Sequence, residues 1–353
     1  MTEAKPEILF RPENPEQAAF LAAGEDYVLG GGERGGGKTA IACIDGLGLN
    51  NPGNGKRAID FPAYHGLFLR RTLNELRNVK DETFKWYPLL GRTIDPDTGE
   101  VKEPRWFEQE KKWVFPSGAT IRFGYLESEG DELRYQGHQY QWICWEELTQ
   151  WPSNRQFILL NACLRGSKDD FPPGFKLKVR ATCNPGGPGH QWVRDFWQID
   201  DRGNPNAFTV QVPDQPDLYT SRRFVRFYRK KNRKLPDDYD KQFAEMSEQV
   251  RKAWLFGEWN IVDATGSIYR DQIEILHANG GFRDLPYNPR YPVNTYWDLG
   301  TTDPTCVWFH QRIDGIDHFI DYYEQANKGL NSHVEAVKSR GYTFGTHFLP
   351  HDA

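Results

Sequence analysis

The chain has 353 residues, 38% hydrophobic and 14% aromatic, with a formal net charge of −5. That length suggests about two domains with room for a sizeable core, and the many aromatics, 33 Gly and 23 Pro fit a loop-rich globular enzyme, excluding a disordered or fibrous chain. The charge excludes a global attraction to nucleic acid, leaving only local patches, and five scattered cysteines without a CxxC pair exclude a disulfide framework or a zinc site.

The opening MTEAKPEILFRPENPEQ lacks the basic start and apolar run of a secretory leader. No apolar stretch approaches the roughly 20 residues needed to cross a bilayer, so a soluble protein of a reduced intracellular compartment is expected. Tyr27, Val28 and Leu29 form a short strand that runs into glycines and then a helix from about Lys38. Leu67 to Arg70 reads as a second buried strand, followed by a helix through Asn74, Glu75 and Leu76. KWVF and ATIRFGYL, joined by Pro116, Ser117 and Gly118, read as a hairpin. Gln141 to Trp145 and Lys176 to Thr182 read as two more core strands. This alternation predicts an α/β fold with a mostly parallel sheet flanked by helices.

The stretch from Phe224 to Trp259 reads as largely helical. A polar segment containing Gly266 follows, which predicts a first domain at 1–260, a linker at 261–268 and a second α/β domain at 269–353. The second domain opens with a strand at Thr295 to Asp298. A hairpin follows, Cys306 to Gln311 and His318 to Tyr323, turning at Asp314-Gly315. A helix around Ser332 to Ser339 leads to a last strand, Tyr342 to Leu349, which delivers His351 and Asp352.

Gly32, Glu33, Arg34, Gly35, Gly36, Gly37, Lys38 and Thr39 match G-x-x-x-x-G-K-[ST] between a strand and a helix. Glycines let backbone N–H groups curl around phosphate oxygens, and the helix N-terminus adds its dipole. Lys38 is placed to reach the β- and γ-phosphates of ATP, and the Thr39 hydroxyl to ligate Mg²⁺. The strand QWICW then delivers two acids, Glu146 and Glu147. In P-loop motors the first acid supports Mg²⁺ and the second polarises the attacking water. The plainer alternative is a glutamate pair capping the following helix.

With these motifs the chain resembles the large terminase subunit of tailed bacteriophages, an ATP-driven DNA-packaging motor with its own nuclease. Asn14-Pro15-Glu16-Gln17 is similar to the family's upstream element, which implies that Gln17 reads adenine. GGGERGGGKT resembles its Walker A, often carrying an Arg where Arg34 stands, and GLFLRRTLNELR the strand and helix after it. WEELTQW resembles its Walker B, with Glu146 where Asp is usual. That extra methylene implies metal contact through a shifted backbone or a bridging water. Thr182-Cys183-Asn184-Pro185 resembles the coupling motif, which implies that Asn184 senses the γ-phosphate. Arg134 stands where the family can carry an arginine finger acting on a neighbour's ATP, and Arg34 is the rival candidate.

In the second domain, YWDLGTTDPT resembles the family's first nuclease motif. The order strand, hairpin, helix, strand implies a partial RNase H-like nuclease domain in which Asp298 and Asp352 meet at adjacent strand ends and hold Mg²⁺ or Mn²⁺. Asp303 and Asp321 are lesser candidates. The family's third carboxylate lies beyond the residues present, which implies an incomplete metal site in this chain. The basic run RRFVRFYRKKNRK offers Arg222, Arg223, Arg226, Arg229, Lys230 and Lys231 to DNA phosphates, or else forms a solvated helix face whose aromatics pack inward. The resemblance further implies double-stranded DNA, a portal protein and the small terminase subunit as partners, a homo-oligomeric ring on the portal, and residence in the host cytoplasm without a membrane. Two other readings stay open: a P-loop helicase or translocase without a packaging role, and a cleavage-dead, nucleotide-gated DNA-binding module.

Overall fold

The structure, a computed structural model, describes residues 10–49, 51, 55–128, 130–260, 272, 275–276, 279–300, 304–326 and 328–350. The linker expected at 261–268, together with Asp303, His351 and Asp352, lies outside the described residues. The chain divides into two compact units, Met1–Ser267 and Ile268–Ala353.

The first unit starts with α1 (Pro15–Ala22), where the Asn14 side chain accepts from the Gln17 N–H and Pro15 takes the first helical turn. β1 (Tyr27–Gly32), α2 (Lys38–Asp45), β2 (His65–Arg70) and α3 (Leu76–Leu90) follow. A small pair, β3 (Thr93–Ile94) with β4 (Val101–Lys102), precedes β5 (Arg105–Phe107), β6 (Lys112–Val114) and β7 (Thr120–Tyr125). Then come β8 (Trp142–Glu146), α4 (Arg155–Asn161), β9 (Lys178–Thr182), α5 (His190–Phe196), β10 (Asn206–Val212), β11 (Gln215–Phe227) and α6 (Glu248–Phe256).

Nine strands form one sheet in the order β10-β11-β1-β9-β8-β2-β7-β6-β5. The middle, from β11 to β7, is parallel throughout, and β10 and the β6–β5 pair close the edges antiparallel. Every residue of β8 and β9 is buried, as a parallel strand covered on both faces requires. Edge strand β5 is three residues long, and β10 pairs with β11 through an irregularity at Gln211/Val212. Because β1, β9 and β8 are direct neighbours, the loops that leave their carboxyl ends emerge side by side, which is where an open α/β sheet places its ligand.

One expectation is corrected. Phe224 to Phe227, expected to be helical, finish β11 and pair in register with Leu29 to Gly32 of β1. Only Glu248–Phe256 of that region is α-helical, alongside two short 3-10 turns, Arg229–Lys231 and Tyr239–Phe243. The apolar spacing of Phe224, Val225 and Phe227 suits either conformation, and pairing with a strand far back in the chain decides it.

Beneath the sheet's centre, Arg180 on β9 is fully buried, with its Nε 3.3 Å from Asp45 Oδ2. Its guanidinium donates to the carbonyls of Ala23, Glu25 and Val179, and Trp142 Nε1 donates to the same Asp45 oxygen. This buried charge pair ties α2 to β8 and β9.

The second unit contains β12 (Val293–Asp298), β13 (Thr305–Ile313), β14 (Ile316–Gln325), α7 (Leu330–Lys338) and β15 (Phe344–Phe348). Its sheet order is β14-β13-β12-β15, antiparallel except for the parallel pair β12–β15. Val293, Val307 and Phe309 pack with Val337 of α7 as its core.

Removing one partner of a buried ion pair leaves the other uncompensated. Arg180→Met should therefore destabilise the first unit by about 3–5 kcal/mol in urea unfolding. Arg180→Met/Asp45→Asn should recover part of that loss, whereas additive losses would show that the pair is not coupled.

Candidate nucleotide site

The loop between β1 and α2 takes its shape from glycines in left-handed conformations. Gly37 has φ 81°, a conformation that favours glycine, and a Cβ there would sit a tight 3.1 Å from Gln17 Nε2. The first amides of α2 have no intrahelical acceptor, the usual basis of anion binding at a helix start.

Lys38 begins α2 and is buried. Its Nζ donates to the Glu33 carbonyl at 2.7 Å and to Asn184 Oδ1 at 2.8 Å. Burial lowers its pKa, opposed by the carboxylates of Glu147 and Glu146. Asn184, just past β9, turns its other end to Glu147, donating from Nδ2 to both carboxylate oxygens at 3.1 and 3.3 Å. The Thr149 hydroxyl donates to the Asn184 carbonyl at 3.1 Å. Glu147 itself sits at φ 56°, an uncommon conformation for a non-glycine residue and one that often accompanies function.

Glu146, the last residue of β8, is buried and accepts a hydrogen bond from the Thr39 hydroxyl. Arg70 at the end of β2 places its guanidinium 3.5 Å from Glu146 Oε2. Burial pushes the Glu146 pKa up to about 7 despite the opposing Arg70 charge and the Thr39 hydrogen bond. Oε2 is buried without a hydrogen-bond partner. Two hard oxygen donors, one of them with an unfilled lone pair, suit Mg²⁺.

Lys38, Thr39, Glu147 and Asn184 line a cleft of about 730 Å³ that also includes Phe10, Gln17, Arg34, Ile44 and Trp86. Gln17 is held by its Oε1, which accepts from the Glu13 N–H at 2.8 Å. The outside of the loop is braced by residues 229–256. Arg229 bonds Glu33 at 3.0 Å and Asp240 at 2.7 Å, and Asn232 donates to the Gly35 carbonyl. The Arg34 N–H donates to the Trp254 carbonyl, and its guanidinium lies 4.4 Å above the Trp254 ring.

The structure therefore brings Gln17, Gly35, Gly36, Gly37, Lys38, Thr39, Glu147 and Asn184 to one cleft, with Glu146 bonded to Thr39. Gly32 ends β1 and Glu33 opens the loop that follows. Of the two arginine-finger candidates, Arg34 lines the cleft of its own chain. Arg134 sits in the 3-10 turn Asp131–Tyr135, half exposed, paired with Asp131 at 3.0 Å and stacked on Tyr125.

The basic run is not the solvated helix face that one reading of it expects. It is a strand and turn with most charges already engaged. Arg222 lies 3.6 Å over the Phe196 ring and donates to the Phe196 carbonyl. Arg223 pairs with Glu25 and Lys231 with Glu16, and Arg226 donates to the Phe256 carbonyl. Arg229 is buried as the loop's brace, and Lys230 is exposed. Arg229 is thus engaged as a support of the loop between β1 and α2.

In the second unit, Asp298 ends β12 with an exposed side chain, beside parallel β15. Asp321 lies level with Phe309, three residues along β13 from the partner of Asp298, and is engaged by Arg340 and Tyr342. Asp352, the expected second ligand, is outside the described residues. Among the described residues no group of three or more His, Cys, Asp or Glu side chains could hold a metal ion.

Sequence reasoning missed Arg70, Thr149, Trp86 and the bracing role of Arg229. Arg70 carried a signal, as the charged end of the buried strand GLFLR; the others depend on partners remote in sequence.

The family model for the terminase large subunit, T4likevirus-type, N-terminal, matches residues 58–274, more than half of the chain. Among solved structures, a large terminase from a thermophilic bacteriophage aligns at 14% identity and TM-score 0.49, over 97% of this chain and 83% of that one. The HK97 bacteriophage large terminase aligns at 14% identity and TM-score 0.41, over 94% and 67%. The ATPase domain of the Thermus phage P74-26 large terminase aligns at 13% identity and TM-score 0.34, over 62% and 80%. No curated protein matches the chain.

The Glu146 titration has a stability signature. Its pKa rises from the usual 4.5 to about 7 on folding, so between those values the folded state binds more protons than the unfolded chain, and stability falls as pH rises. Glu146→Gln removes this proton. The melting temperature of wild type should fall relative to Glu146→Gln across that interval and run parallel to it outside. Parallel curves throughout would remove the buried-acid assignment.

Proposed function

The chain belongs to the terminase large-subunit family, and from that premise we propose that it is an ATP-hydrolysing motor that drives double-stranded viral DNA into a procapsid. The observation that carries this reading is the Lys38–Asn184–Glu147 chain of hydrogen bonds, which joins a phosphate-binding cation, a connecting amide and a carboxylate placed to orient water. Lys38 has spent two of its three N–H donors inside the protein and offers the third to the β- and γ-phosphates. Glu147 holds the attacking water in line with the γ-phosphorus, and Arg34 adds positive charge from the loop. Gln17 reads the adenine edge. Thr39 and Glu146 would hold Mg²⁺, which when bound supplies neutralising charge on the phosphate oxygens.

Asn184 touches both the phosphate-holding lysine and the water-holding glutamate, so loss of the γ-phosphate changes its partners. The next residues can relay that change. The Gly186 N–H donates to His190 Nδ1, and His190 Nε2 lies 3.1 Å from the Trp259 carbonyl at the end of the first unit. This is a route from hydrolysis to movement of the chain beyond.

The second unit is proposed as part of an RNase H-like nuclease that cuts concatemeric DNA, with Asp298 and Asp352 as ligands for Mg²⁺ or Mn²⁺. The β14-β13-β12-β15 order supports it by setting β12 and β15 side by side. A ring of copies on a portal, a small terminase subunit and the host cytoplasm complete the proposal. Among the described residues no helix is long and apolar enough to cross a membrane.

Lys38→Ala should lower ATP turnover by roughly a hundredfold or more while circular dichroism stays unchanged. Glu147→Gln should stop turnover yet keep ATP binding. Full hydrolysis in either variant would refute the site. For the second unit, Asp298→Asn should weaken Mn²⁺ binding relative to wild type, read by electron paramagnetic resonance; equal binding by both would remove Asp298 from the metal site.

A further inference from the structure

The cleft has two chemically different ends. One carries Lys38, Thr39 and the loop amides; the other is lined by Phe10, Ile44 and Trp86. The apolar end lies beside Gln17, where the polar edge of a bound base is read. Trp86 comes from α3, whose buried face carries Thr83, Tyr87 and Leu90. It stands off that face, packing on the core while still lining the cleft.

Its ring is held on several sides. Trp86 Nε1 donates to Glu82 Oε1 at 2.8 Å one helical turn back, and Lys85 pairs with the same glutamate at 2.6 Å. Phe10 meets the ring edge-on, with centroids 5.6 Å apart at 84°. Lys234 Nζ lies 5.3 Å from the ring centroid, which marks a π face turned toward solvent. Lys234 is itself exposed and tethered to Glu13 at 3.0 Å. Such a surface pair contributes little, so a flat aromatic ligand displaces it at small cost.

We propose that Trp86 is the platform on which the nucleotide base stacks, with Glu82 fixing the indole plane and Phe10 closing its edge. This rests on the nucleotide-site reading above and deepens it, adding a base-binding residue from a helix outside the phosphate loop. Stacking of a base on an aromatic side chain is sequence-tolerant by itself, so Trp86 supplies affinity for the base while Gln17 supplies its identity.

The test separates base from phosphate. Binding of ADP and of inorganic tripolyphosphate to the full chain is measured by calorimetry for wild type, Trp86→Ala, Trp86→Phe and Lys38→Ala. Trp86→Ala should weaken ADP by about tenfold or more and leave tripolyphosphate unchanged, and Trp86→Phe should stay near wild type for both. Protein labelled with 5-fluorotryptophan gives a check that needs no folded alanine variant: the ¹⁹F resonance missing from Trp86→Phe should shift with ADP and not with tripolyphosphate. If Trp86→Ala binds ADP as wild type does, or loses both ligands equally while the ¹⁹F resonance ignores ADP, the stacking role is overturned and the phosphate site stands. If wild type binds neither ligand, or Lys38→Ala binds both undiminished, the nucleotide reading itself falls.

Discussion

The first unit is organised around one buried ammonium group. Lys38 cannot stay charged away from water unless oxygen atoms surround it, because an unpartnered buried charge costs several kcal/mol. The oxygens come from two separate places, the Glu33 carbonyl after β1 and the Asn184 side chain after β9, and Glu147 after β8 completes the field. That convergence requires β1, β9 and β8 to be neighbours and parallel. The strand order, the helices that cover both faces and the glycines that let the loop fold back are all conditions for satisfying this cation.

A second constraint acts on the same loop from outside. Glu33 and Arg34, variable positions of the phosphate-loop pattern, are held by Arg229 and Trp254 of the segment that follows the sheet. The loop between β1 and α2 is therefore clasped between strands β8 and β9 on one side and the segment carrying Arg229 and α6 on the other. A change on one side must be felt on the other, since packed interiors transmit displacement and do not absorb it.

How much of this was legible in the sequence follows from the range of the interactions. The strand, loop and helix around Lys38 and the acidic end of β8 are local patterns with strong residue preferences, and the alternation of strands and helices carries the α/β class. Glu146 was readable as a motif position, but its raised pKa was not, because that depends on tertiary burial outweighing the opposing Arg70 charge and Thr39 hydrogen bond. Phe224 to Phe227 were misread as helix because their partner strand lies far back in the chain. The same distance hid the brace formed by Arg229, which looked like a member of a basic run until Glu33 and Asp240 were seen beside it. Trp86 is one of two adjacent aromatic positions on α3, and only the tertiary cleft distinguishes it from Tyr87.

The edges of the nine-stranded sheet bear on how copies of this protein can coexist. An open edge is a template for the next strand, and long regular edges invite aggregation. Here one edge is the three-residue β5 with exposed Arg105, and the other, β10, loses regular pairing at Gln211/Val212. β5 is too short for a neighbour to zip onto, whereas β10 keeps regular pairing over Asn206 to Gln211 before that shift. A cross-β route between crowded copies is closed at β5, so contact on that side falls to loops and helix faces, where it can be made and released without unpicking a backbone ladder.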